Sequence, residues 1–577
     1  MYKFVDLDHE QKLKRRELLD FYGLVAQLSV LVPILAIVVY RFATLGQSRL
    51  RDASSATPAS PYAKAARLRH GLSFASVQQR WRQISWSCGD PVEIYGLYLG
   101  TKGDVGGALI WTLWLLVLSF LDTGDDYLHL TKRVGTIGAS QLPFHYLLSV
   151  KSPWSPLQLL TGCSEASLIS LHQLLGRIVS AFFWTHVILY VNFYVLNGLL
   201  LAKVKELYII CGVLAIISFT AISTTAFRTL RNKSYKVFYV THVSLATVLL
   251  PVLYLHVHHI RSFVWETVAI YTSNAILRYF ATRTHTGVVK KVRDASLVEI
   301  TIPVSQGALR WQPGQFAYIS LAGHPLLRTF RSNPFTVASV PAIDNQLKFV
   351  ARILDGNTLA LANSAKENQN ISVEGPYGIA SHADRLLGYD RIVFIAGGVG
   401  ATFIVPLYRQ LLSDLSPSKG SYRRQKVSFV WAARSFSEVT WPLLTNLKEK
   451  EGFIERLTVY VSRQVEGDAT AQQESAFVLA DEEELPGDEG IELEEQKNLL
   501  QGRGDDDRDT TTAEIQVRKG RPDLAQVVDQ AFSKSSTERV AIVVCGPPHL
   551  SQSLRQKVGP WVKRGREVWF WDESFAL

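Results

Sequence analysis

Residues 238–259 read FYVTHVSLATVLLPVLYLHVHH. Most of this stretch is apolar enough for the middle of a bilayer, yet it carries His242, His256, His258 and His259. An imidazole in hydrocarbon is costly unless its ring nitrogens have partners. The stretch therefore predicts a membrane helix whose histidines bind a further group.

A second apolar stretch repeats the arrangement. LHQLLGRIVSAFFWTHVILY, at 171–190, separates His172 from His186 by 14 residues, the spacing that also separates His242 from His256. At 3.6 residues per turn, the two histidines of each helix lie nearly on one face, about 21 Å apart along the axis. Imidazole is a good axial ligand for haem iron, and ligation satisfies the ring nitrogen in lipid. The pattern predicts two stacked haems, one held by His172 and His242 and the other by His186 and His256; unrelated polar histidines between helices are the alternative.

The remaining histidines have no partner at this spacing. His258 and His259 follow the end of their helix and are expected at the surface beside the second haem. His129 and His145 are expected to be structural. No CxxCH attachment motif occurs, so the haems would be non-covalent b-type groups. Arg177 would either pair with a haem propionate or extend to the membrane interface.

The composition indicates a membrane protein with more than one folding unit. The chain has 577 residues, 47% of them hydrophobic, and the apolar residues are concentrated in long runs. Residues 464–517 carry 17 acidic and 3 basic side chains, a net charge of −14, which leaves +24 for the rest of the chain. The basic residues lie mostly beside apolar runs, and this favours a membrane over nucleic acid as their partner.

Seven segments are long and apolar enough to cross a bilayer. They are approximately 21–40, 104–121, 135–150, 172–197, 207–226, 237–256 and 264–281. The first is expected to be a retained anchor, because it follows a charged leader and lacks a small-residue cleavage site; a signal peptide is the alternative. With the C-terminal half in the cytosol, the inner loops hold 14 Lys or Arg and the outer loops hold 5. This asymmetry predicts a cytosolic C-terminal half.

The pattern changes near residue 283. Short alternating runs such as QFAYISLA are typical of a small β-barrel, and from 389 onward apolar strands alternate with helical segments, which predicts a parallel α/β domain. The acidic stretch 464–517 is too polar to bury much surface and is predicted to be a disordered insertion. The predicted domains are an anchor helix with a basic cytosolic loop (1–103), a helical transmembrane haem domain (104–282), a β-barrel domain (283–388) and the α/β domain (389–577).

Four turns rich in glycine or proline are candidates for nucleotide binding. SNPFTVAS (332–339) and VEGPYG (373–378) would bring backbone N–H groups to a flavin and its pyrophosphate. AGGVGAT (396–402) joins a buried strand to a helix N-terminus, which favours a phosphate. CGPP (545–548) follows another strand at the carboxyl end of the sheet, where Cys545 would face a nicotinamide. Each pattern is also compatible with a structural turn or, for Cys545, with a buried thiol.

Together these segments resemble the ferric reductase family of fungi, which is related to the NADPH oxidases. The resemblance covers about residues 104–577 apart from the insertion, and it rests on HQLLGR, the paired histidine spacings, the four turns and ESF near the C-terminus. It implies no acid, base or nucleophile among the side chains, because the cofactors carry the chemistry. Phe575 would cover the flavin, and most members have histidine where this chain has Asn333. The residues implied for the cofactors are Asn333, Pro334, Phe335, Thr336 and Gly375 for FAD, and Gly397, Gly398, Gly400, Thr402, Cys545 and Gly546 for NADPH.

The resemblance also implies transmembrane electron transfer from cytosolic NADPH, through FAD and two b-type haems, to ferric or also cupric chelates outside the cell. The plasma membrane is the expected location, and a metal permease or an oxidase is the expected partner. The spacing of 14 in both histidine pairs favours a metalloreductase over an NADPH oxidase that forms superoxide, since the oxidases usually have one fewer residue in the second pair. A haem-bearing subunit that receives electrons from a partner is a third reading, and the two intact glycine turns argue against it.

Overall fold

The computed structural model of the chain describes residues 2–55, 72–94, 97–151, 155–292, 295–304, 310–321, 323, 330–354, 356–366, 368–378, 381–415, 426–439, 457–462, 516–533 and 538–573. Helices fill the N-terminal half, and two six-stranded sheets form the C-terminal half. A short hairpin of β1 (Pro91–Ile94) and β2 (Leu97–Thr101) lies within this helical half. The helices of the first half are α1 (His9–Leu28), α2 (Leu31–Ser55), α3 (Leu72–Cys88), α4 (Lys102–Phe120), α5 (Tyr127–Ser140), α6 (Leu142–Leu148), α7 (Pro156–Thr161), α8 (Glu165–Leu196), α9 (Leu200–Lys203), α10 (Leu207–Thr225), α11 (Arg228–Lys233), α12 (Tyr235–His256) and α13 (Arg261–Ala281).

Among the described residues, five helical segments are long and apolar enough to cross a membrane. They are the α1–α2 unit (His9–Gly46), α4, α8, α10 and α12. Many of their apolar side chains point outward, such as Ile110, which is 73% exposed, and Ile188, which is 60% exposed. Exposed apolar surface of this extent is typical of a membrane contact. The five segments correspond to five of the seven predicted spans, and the helical transmembrane half is confirmed.

The prediction of a single helix over 135–150 is wrong, because the chain forms two helices there, α5 and α6. Pro143 stands in the first turn of α6, where it is tolerated, but it would break a helix that continued from α5. Gln141 lies buried at the break; its amide nitrogen donates to the Ala26 carbonyl at 3.1 Å, and its amide oxygen accepts from Trp111 at 3.2 Å. The remaining predicted span forms α13, which packs on α6 and α12 but is not one of the five segments.

The first sheet is antiparallel and follows α13 directly. Its strands are β3 (Thr282–Lys291), β4 (Leu297–Pro303), β5 (Phe316–Leu321), β6 (Asn333–Thr336), β7 (Gln346–Arg352) and β8 (Gln369–Tyr377), in the order β6-β5-β8-β3-β4-β7. A bridge between Val337 and Phe349 joins the two edges, so the sheet nearly closes around buried aliphatic side chains. Two short helices, α14 (Pro341–Asp344) and α15 (Asn357–Asn363), complete this part. The predicted β-barrel is confirmed.

The second sheet is parallel throughout. Its strands are β9 (Arg391–Gly397), β10 (Lys426–Ala433), β11 (Leu457–Val461), β12 (Gln516–Lys519), β13 (Val540–Cys545) and β14 (Val568–Asp572), in the order β12-β11-β10-β9-β13-β14. The helices of this half are α16 (Ser381–Leu386), α17 (Ala401–Asp414), α18 (Leu524–Ser533) and α19 (Pro548–Lys563). The strand order reverses between β9 and β13, and open α/β sheets bind ligands at such a switch point. The predicted parallel domain is confirmed.

Most of the predicted acidic insertion, 464–517, lies outside the described residues. Its last two residues, Gln516 and Val517, begin β12, which is an edge strand of the parallel sheet. The neighbour of β12 is β11, which ends at Val461. The predicted insertion therefore lies between β11 and the edge strand β12. Extra residues beside an edge strand disturb the core of a sheet least.

Candidate functional site

Two glycine turns meet at the switch point of the parallel sheet. β9 ends at Gly397, and a single turn over Gly398–Gly400 leads into α17. A Cβ added to Gly400 would lie 2.2 Å from the carbonyl oxygen of Cys545, and one added to Gly546 would lie 3.0 Å from Cα of Gly397. Glycine is thus required for the two turns to pack backbone against backbone.

Gly398 differs from its neighbours in this turn. Its φ is +55°, and a Cβ at this position would meet no atom within 4 Å. The turn faces open space at the N-terminal end of α17, where backbone N–H groups favour an anion. Its carbonyl accepts a hydrogen bond from Trp431 Nε1 at 3.2 Å, which fixes the turn from below. Of the predicted phosphate contacts, Gly398 is the residue that stands nearest to free space.

Gly400→Ala is expected to lower the melting temperature of the protein more than Gly398→Ala. The first substitution drives a methyl group into the Cys545 carbonyl and should cost about 1–3 kcal/mol as an overpacked site. The second meets no atom, and its left-handed backbone costs an alanine about 1–2 kcal/mol. Thermal unfolding of the two purified variants measures the difference, and equal or reversed losses would show that the two turns do not pack as described.

Thr402 and Cys545 are buried beneath the glycine turn. The Thr402 hydroxyl donates to the Val399 carbonyl at 2.9 Å, and Cys545 is 0% exposed. Burial raises the pKa of the Cys545 thiol, and the carboxylates of Glu573 and Asp572 raise it further. Both residues therefore support the turns from inside, and their direct contact with a cofactor stays a prediction.

Glu573 is a site residue that the sequence analysis did not single out, although it belongs to the quoted ESF motif. Burial raises its pKa to about 7, against the effect of a 3.2 Å hydrogen bond from Trp571 Nε1. Its carboxylate lies close enough to Cys545 to act on the thiol electrostatically. Phe575, the predicted flavin cover two residues later, lies outside the described residues.

Glu573→Gln is expected to stabilise the protein increasingly as the pH rises from 5 to 7. The folded state raises the pKa of this carboxyl above the ordinary value of 4.5. The Glu573 side chain therefore makes its full contribution to the stability of the wild type below pH 4.5, and this contribution is lost as the pH rises through about 7. Melting temperatures of wild type and variant across this range measure the gap. Glu538→Gln is the opposite control, because Lys426 and Arg391 lower the pKa of Glu538 and its removal should destabilise. A pH-independent gap for Glu573→Gln would contradict the assignment.

The two segments predicted to hold FAD lie on either side of β5. Asn333–Thr336 form β6, where Pro334 pairs with Tyr318, and on the other side Tyr318 pairs with Glu374 in β8. Gly375 follows directly with a φ of +126°, a conformation that favours glycine. The fold thus brings SNPFTVAS and VEGPYG side by side, with β5 between them. Thr336 is buried, and the other three residues of β6 are half-buried.

Three of the four predicted haem ligands have their Nδ1 atoms bonded to the main chain. His172 donates to the His145 carbonyl at 2.9 Å, His186 to the Thr131 carbonyl at 2.8 Å, and His256 to the Tyr208 carbonyl at 2.6 Å. An Nδ1–H donated to a carbonyl fixes the tautomer and leaves Nε2 with a lone pair for a metal. This is the arrangement expected of axial ligands.

The fourth predicted ligand, His242, lies close to His172. Their ring centroids are 6.1 Å apart, and Nδ1 of His242 is buried without a hydrogen-bond partner among the described residues. α8 packs on α5, α6 and α10, whereas α12 packs on α10 and α13. The two imidazoles therefore approach each other from separate parts of the bundle, as expected of two ligands of one iron.

Two glycines missed by the sequence analysis lie against the second pair. A Cβ at Gly135 would lie 2.5 Å from Nδ1 of His186, and one at Gly212 would lie 2.7 Å from Cε1 of His256. Each glycine lets a helix backbone approach an imidazole closely. An isolated glycine in an apolar helix was the available signal. With these contacts, the imidazoles present fit axial haem ligands, and the number of haems stays a prediction.

The other histidines occupy different environments. His145, predicted to be structural, stacks on His172 with centroids 3.9 Å apart, so it lies beside a predicted ligand. His129 bonds to the buried Arg133 at 2.9 Å and has the expected structural place. His259 stands past the end of α12, 4.0 Å from Asp20.

Three family models match the chain in the order of its structural parts. A model described as "Ferric reductase like transmembrane component" matches residues 134–253, one described as "FAD-binding domain" matches 285–381, and one described as "Ferric reductase NAD binding domain" matches 389–559. The chain belongs to the ferric reductase family. The transmembrane match includes three of the four predicted ligands, and His256 lies just beyond its end.

Several curated ferric reductases are similar to this family member. It is 22% identical to ferric/cupric reductase transmembrane component 2 of Saccharomyces cerevisiae, over 77% of this chain and 61% of that protein. It is 24% identical to ferric/cupric reductase transmembrane component 1 of Candida albicans, over 73% and 54%. A protein of Meyerozyma guilliermondii named "Probable metalloreductase AIM14" is 24% identical, over 77% and 84%. The chain thus spans less than two thirds of the first and second of these relatives.

A ferredoxin NADP+ reductase structure from Neisseria gonorrhoeae matches 51% of this chain and 98% of its own, with 12% identity and a TM-score of 0.33.

The transmembrane and FAD-binding parts of the chain meet at a buried polar junction. Lys151, after α6, donates to the Tyr318 hydroxyl at 2.7 Å, and that hydroxyl lies 3.5 Å from Glu165 at the start of α8. Burial, together with the nearby Glu165 carboxylate, raises the pKa of Tyr318 well above its ordinary value. The phenol therefore stays neutral and bridges two charges from the helical half.

A second contact fixes α13 to β8. The Arg278 guanidinium donates to both carboxylate oxygens of Glu374, at 2.7 and 3.1 Å, and Tyr377 donates to the same carboxylate at 2.7 Å. Bidentate arginine–carboxylate pairs are both strong and directional. Glu374 precedes Gly375, so the last helix of the bundle holds a segment that is predicted to bind FAD.

A third contact joins the histidine helix to the other FAD segment. The Tyr239 ring lies 6.1 Å from the Phe330 ring, centroid to centroid. Tyr239 is one helical turn before His242, and Phe330 is three residues before Asn333. The junction thus places the first histidine pair at the end of the bundle that faces the FAD-binding domain.

Proposed function

We propose that the chain is an NADPH-dependent metalloreductase that carries electrons across a membrane to ferric and cupric chelates. The observation that carries this proposal is the imidazole arrangement: three predicted ligands donate Nδ1–H to main-chain carbonyls and keep Nε2 for iron. The relatives named ferric/cupric reductase support the substrate class.

The four histidines would hold two haems at different depths. His172 and His242 would hold one near the FAD-binding domain, and His186 and His256 would hold the other toward the opposite surface. Bound haem supplies one-electron chemistry, and bound FAD connects it to the two-electron chemistry of NADPH. The protein's own part is placement: it fixes the imidazole tautomers, excludes water from the bundle and holds the FAD-binding barrel against it.

The residues proposed for FAD come from neighbouring strands of the barrel. Asn333, Pro334, Phe335 and Thr336 belong to β6 and Gly375 belongs to β8, and both strands pair with β5.

The residues proposed for NADPH gather at the switch point of the parallel sheet. Gly398 and the α17 N-terminus would receive a phosphate, while Gly397, Gly400 and Gly546 allow the two turns to pack. Thr402 and Cys545 would lie beneath the bound dinucleotide, and Phe575 would cover the flavin.

The direction of transfer is part of the proposal. The bias of Lys and Arg toward loops on the side of the FAD- and NAD-binding domains supports a cytosolic position for these domains. Electrons would then leave on the exoplasmic side, at the plasma membrane, where a metal permease or an oxidase would take up the reduced ion.

One assay tests the proposal against its main alternative, an NADPH oxidase that forms superoxide. Purified protein in lipid is given NADPH, and Fe(III)-chelate reduction is followed with and without superoxide dismutase. We expect reduction that is insensitive to the dismutase. Dismutase-sensitive reduction would favour the oxidase, and an absence of NADPH oxidation would contradict both enzymes.

A further inference from the structure

Helix α3 docks on the NAD-binding domain through one face. Trp86 packs edge-on against Phe570 with centroids 5.7 Å apart, and the Arg555 guanidinium lies 4.2 Å from the Trp86 ring. On the same face, Arg82 forms a 3.1 Å ion pair with Glu567. α3 is therefore fixed to α19 and β14 by contacts that are largely polar or aromatic.

The opposite face of α3 is apolar and largely exposed, with contacts to the membrane helices only near its two ends. Trp81 and Ile84 are each 56% exposed, and Cys88 is exposed one turn later. At 100° per residue, these three positions lie on one side of the helix, and Arg82 and Trp86 lie on the other. A surface helix of a soluble protein shows the reverse pattern, with its apolar side buried.

The two ends of this apolar face lie at one depth in the membrane domain. Trp114 of α4 donates to Ser29 at 3.0 Å, which ties α4 to the α1–α2 unit. From this bond, Tyr40 lies eleven residues along one helix and Gly103 lies eleven residues along the other, both toward the FAD-binding domain, or about 16 Å at 1.5 Å per residue. Both positions therefore lie at a similar depth along the bundle, beside the start of α4.

α3 contacts both of these positions. The Trp81 ring lies 6.3 Å from the Tyr40 ring, and a Cβ at Gly103 would lie 3.3 Å from Cβ of Cys88. The helix therefore runs across the bundle axis at the level where α4 begins, the level expected of the membrane–water interface. Tryptophan and tyrosine are enriched at this level, because their rings are apolar and their polar atoms reach water.

We propose that α3 is an interfacial helix whose Trp81–Ile84–Cys88 face lies in the lipid headgroup region, on the side of the FAD- and NAD-binding domains. Charge complementarity supports anionic lipid as the occupant: residues 41–82 contain eight Lys or Arg and one acidic residue, and Arg80 is exposed beside the apolar face. Because the other face holds α19 and β14, the helix ties the NAD-binding domain to the membrane surface.

The test uses the full-length protein in lipid nanodiscs with a nitroxide on Cys88. Cys163→Ser leaves Cys88 as the accessible thiol, because Cys211 and Cys545 are buried. We expect the label to be relaxed more by oxygen, which partitions into lipid, than by a water-soluble nickel chelate. Phosphatidylserine in the nanodisc should increase this preference.

Two variants make the result decisive. A label on Lys557→Cys in a Cys88→Ser, Cys163→Ser background, on the side of α19 away from Arg555, should be relaxed mainly by nickel. Trp81→Glu with Ile84→Glu should raise nickel access at Cys88 at least about threefold, while Trp86 and Arg82 keep their partners.

Equal nickel access at Cys88 and Lys557→Cys in the wild-type sequence would overturn the proposal. So would protection of Cys88 that depends on protein concentration, because a second copy of the chain would then cover the face. None of these measurements requires reductase activity.

Discussion

His256→Ala is expected to halve the haem content of the purified protein and to abolish electron transfer to ferric chelate. His256 donates Nδ1–H to the Tyr208 carbonyl and is held against Gly212. The orientation of its ring is therefore fixed, and its Nε2 is left for a metal. Loss of outer contacts around a metal ligand alone costs about 10–100-fold, and loss of the ligand itself should cost more. The haem-to-FAD ratio and the b-type absorbance measure the first effect, and chelate reduction measures the second.

His258→Ala is the matched control, because it removes an imidazole two residues away. His258 stands in the turn after α12, past the helix end, where its ring contacts that of His259. We expect this variant to keep both haems and at least about half of the activity, in line with the small effects of most surface substitutions. Two haems with full turnover in His256→Ala would show that the ligand assignment is wrong.

Glu374→Gln is expected to slow haem reduction at least about tenfold while flavin reduction by NADPH keeps its rate. The substitution leaves Arg278 with an unpaired charge at the junction, and loss of one partner of such an interfacial pair costs about 2–5 kcal/mol. The FAD-binding barrel should then separate more often from the bundle. Rapid-mixing absorbance at the flavin and haem bands measures the two steps separately.

Glu438→Gln is the matched control, because it removes one partner of an ion pair at a different domain boundary. Glu438 accepts from Arg352 at 2.7 Å, and this contact joins the barrel to the parallel domain rather than to the bundle. We expect it to affect the flavin step more than the haem step. If Glu374→Gln loses FAD, Arg278→Gln removes the same pair from the helix side. Unchanged haem reduction in both junction variants, with FAD retained, would contradict a positioning role for the pair.

Much of the fold could be predicted from periodicity and turn chemistry. The runs of apolar residues located the spanning helices, and alternating runs followed by strand–helix repeats predicted a barrel and a parallel sheet, in the order now seen. The break at Gln141 was missed because its neighbours are apolar enough for one continuous span. Only the tertiary bonds from Gln141 to Ala26 and Trp111 show how the chain satisfies a polar residue there.

The candidate site was also predictable from the sequence only in part. The 14-residue spacings are local, so the sequence predicted the histidine pairs, and the glycine turns were equally visible. Contacts between distant residues were not predictable from one sequence. Lys151 and Tyr318 are 167 residues apart, and Gly135 reaches His186 across two helices. Long-range packing decides these contacts, and no period or motif encodes them.

The carbonyls that orient three of the imidazoles have a consequence for how this protein tolerates sequence drift. The acceptors at Thr131, His145 and Tyr208 belong to the main chain, so a substitution of the side chain at any of these positions leaves the acceptor atom in place. Relatives that share fewer than a quarter of their residues with this chain can therefore keep the same ligand tautomers without keeping the same neighbours. Alignment columns beside the histidines would look variable even where the orienting bonds are invariant.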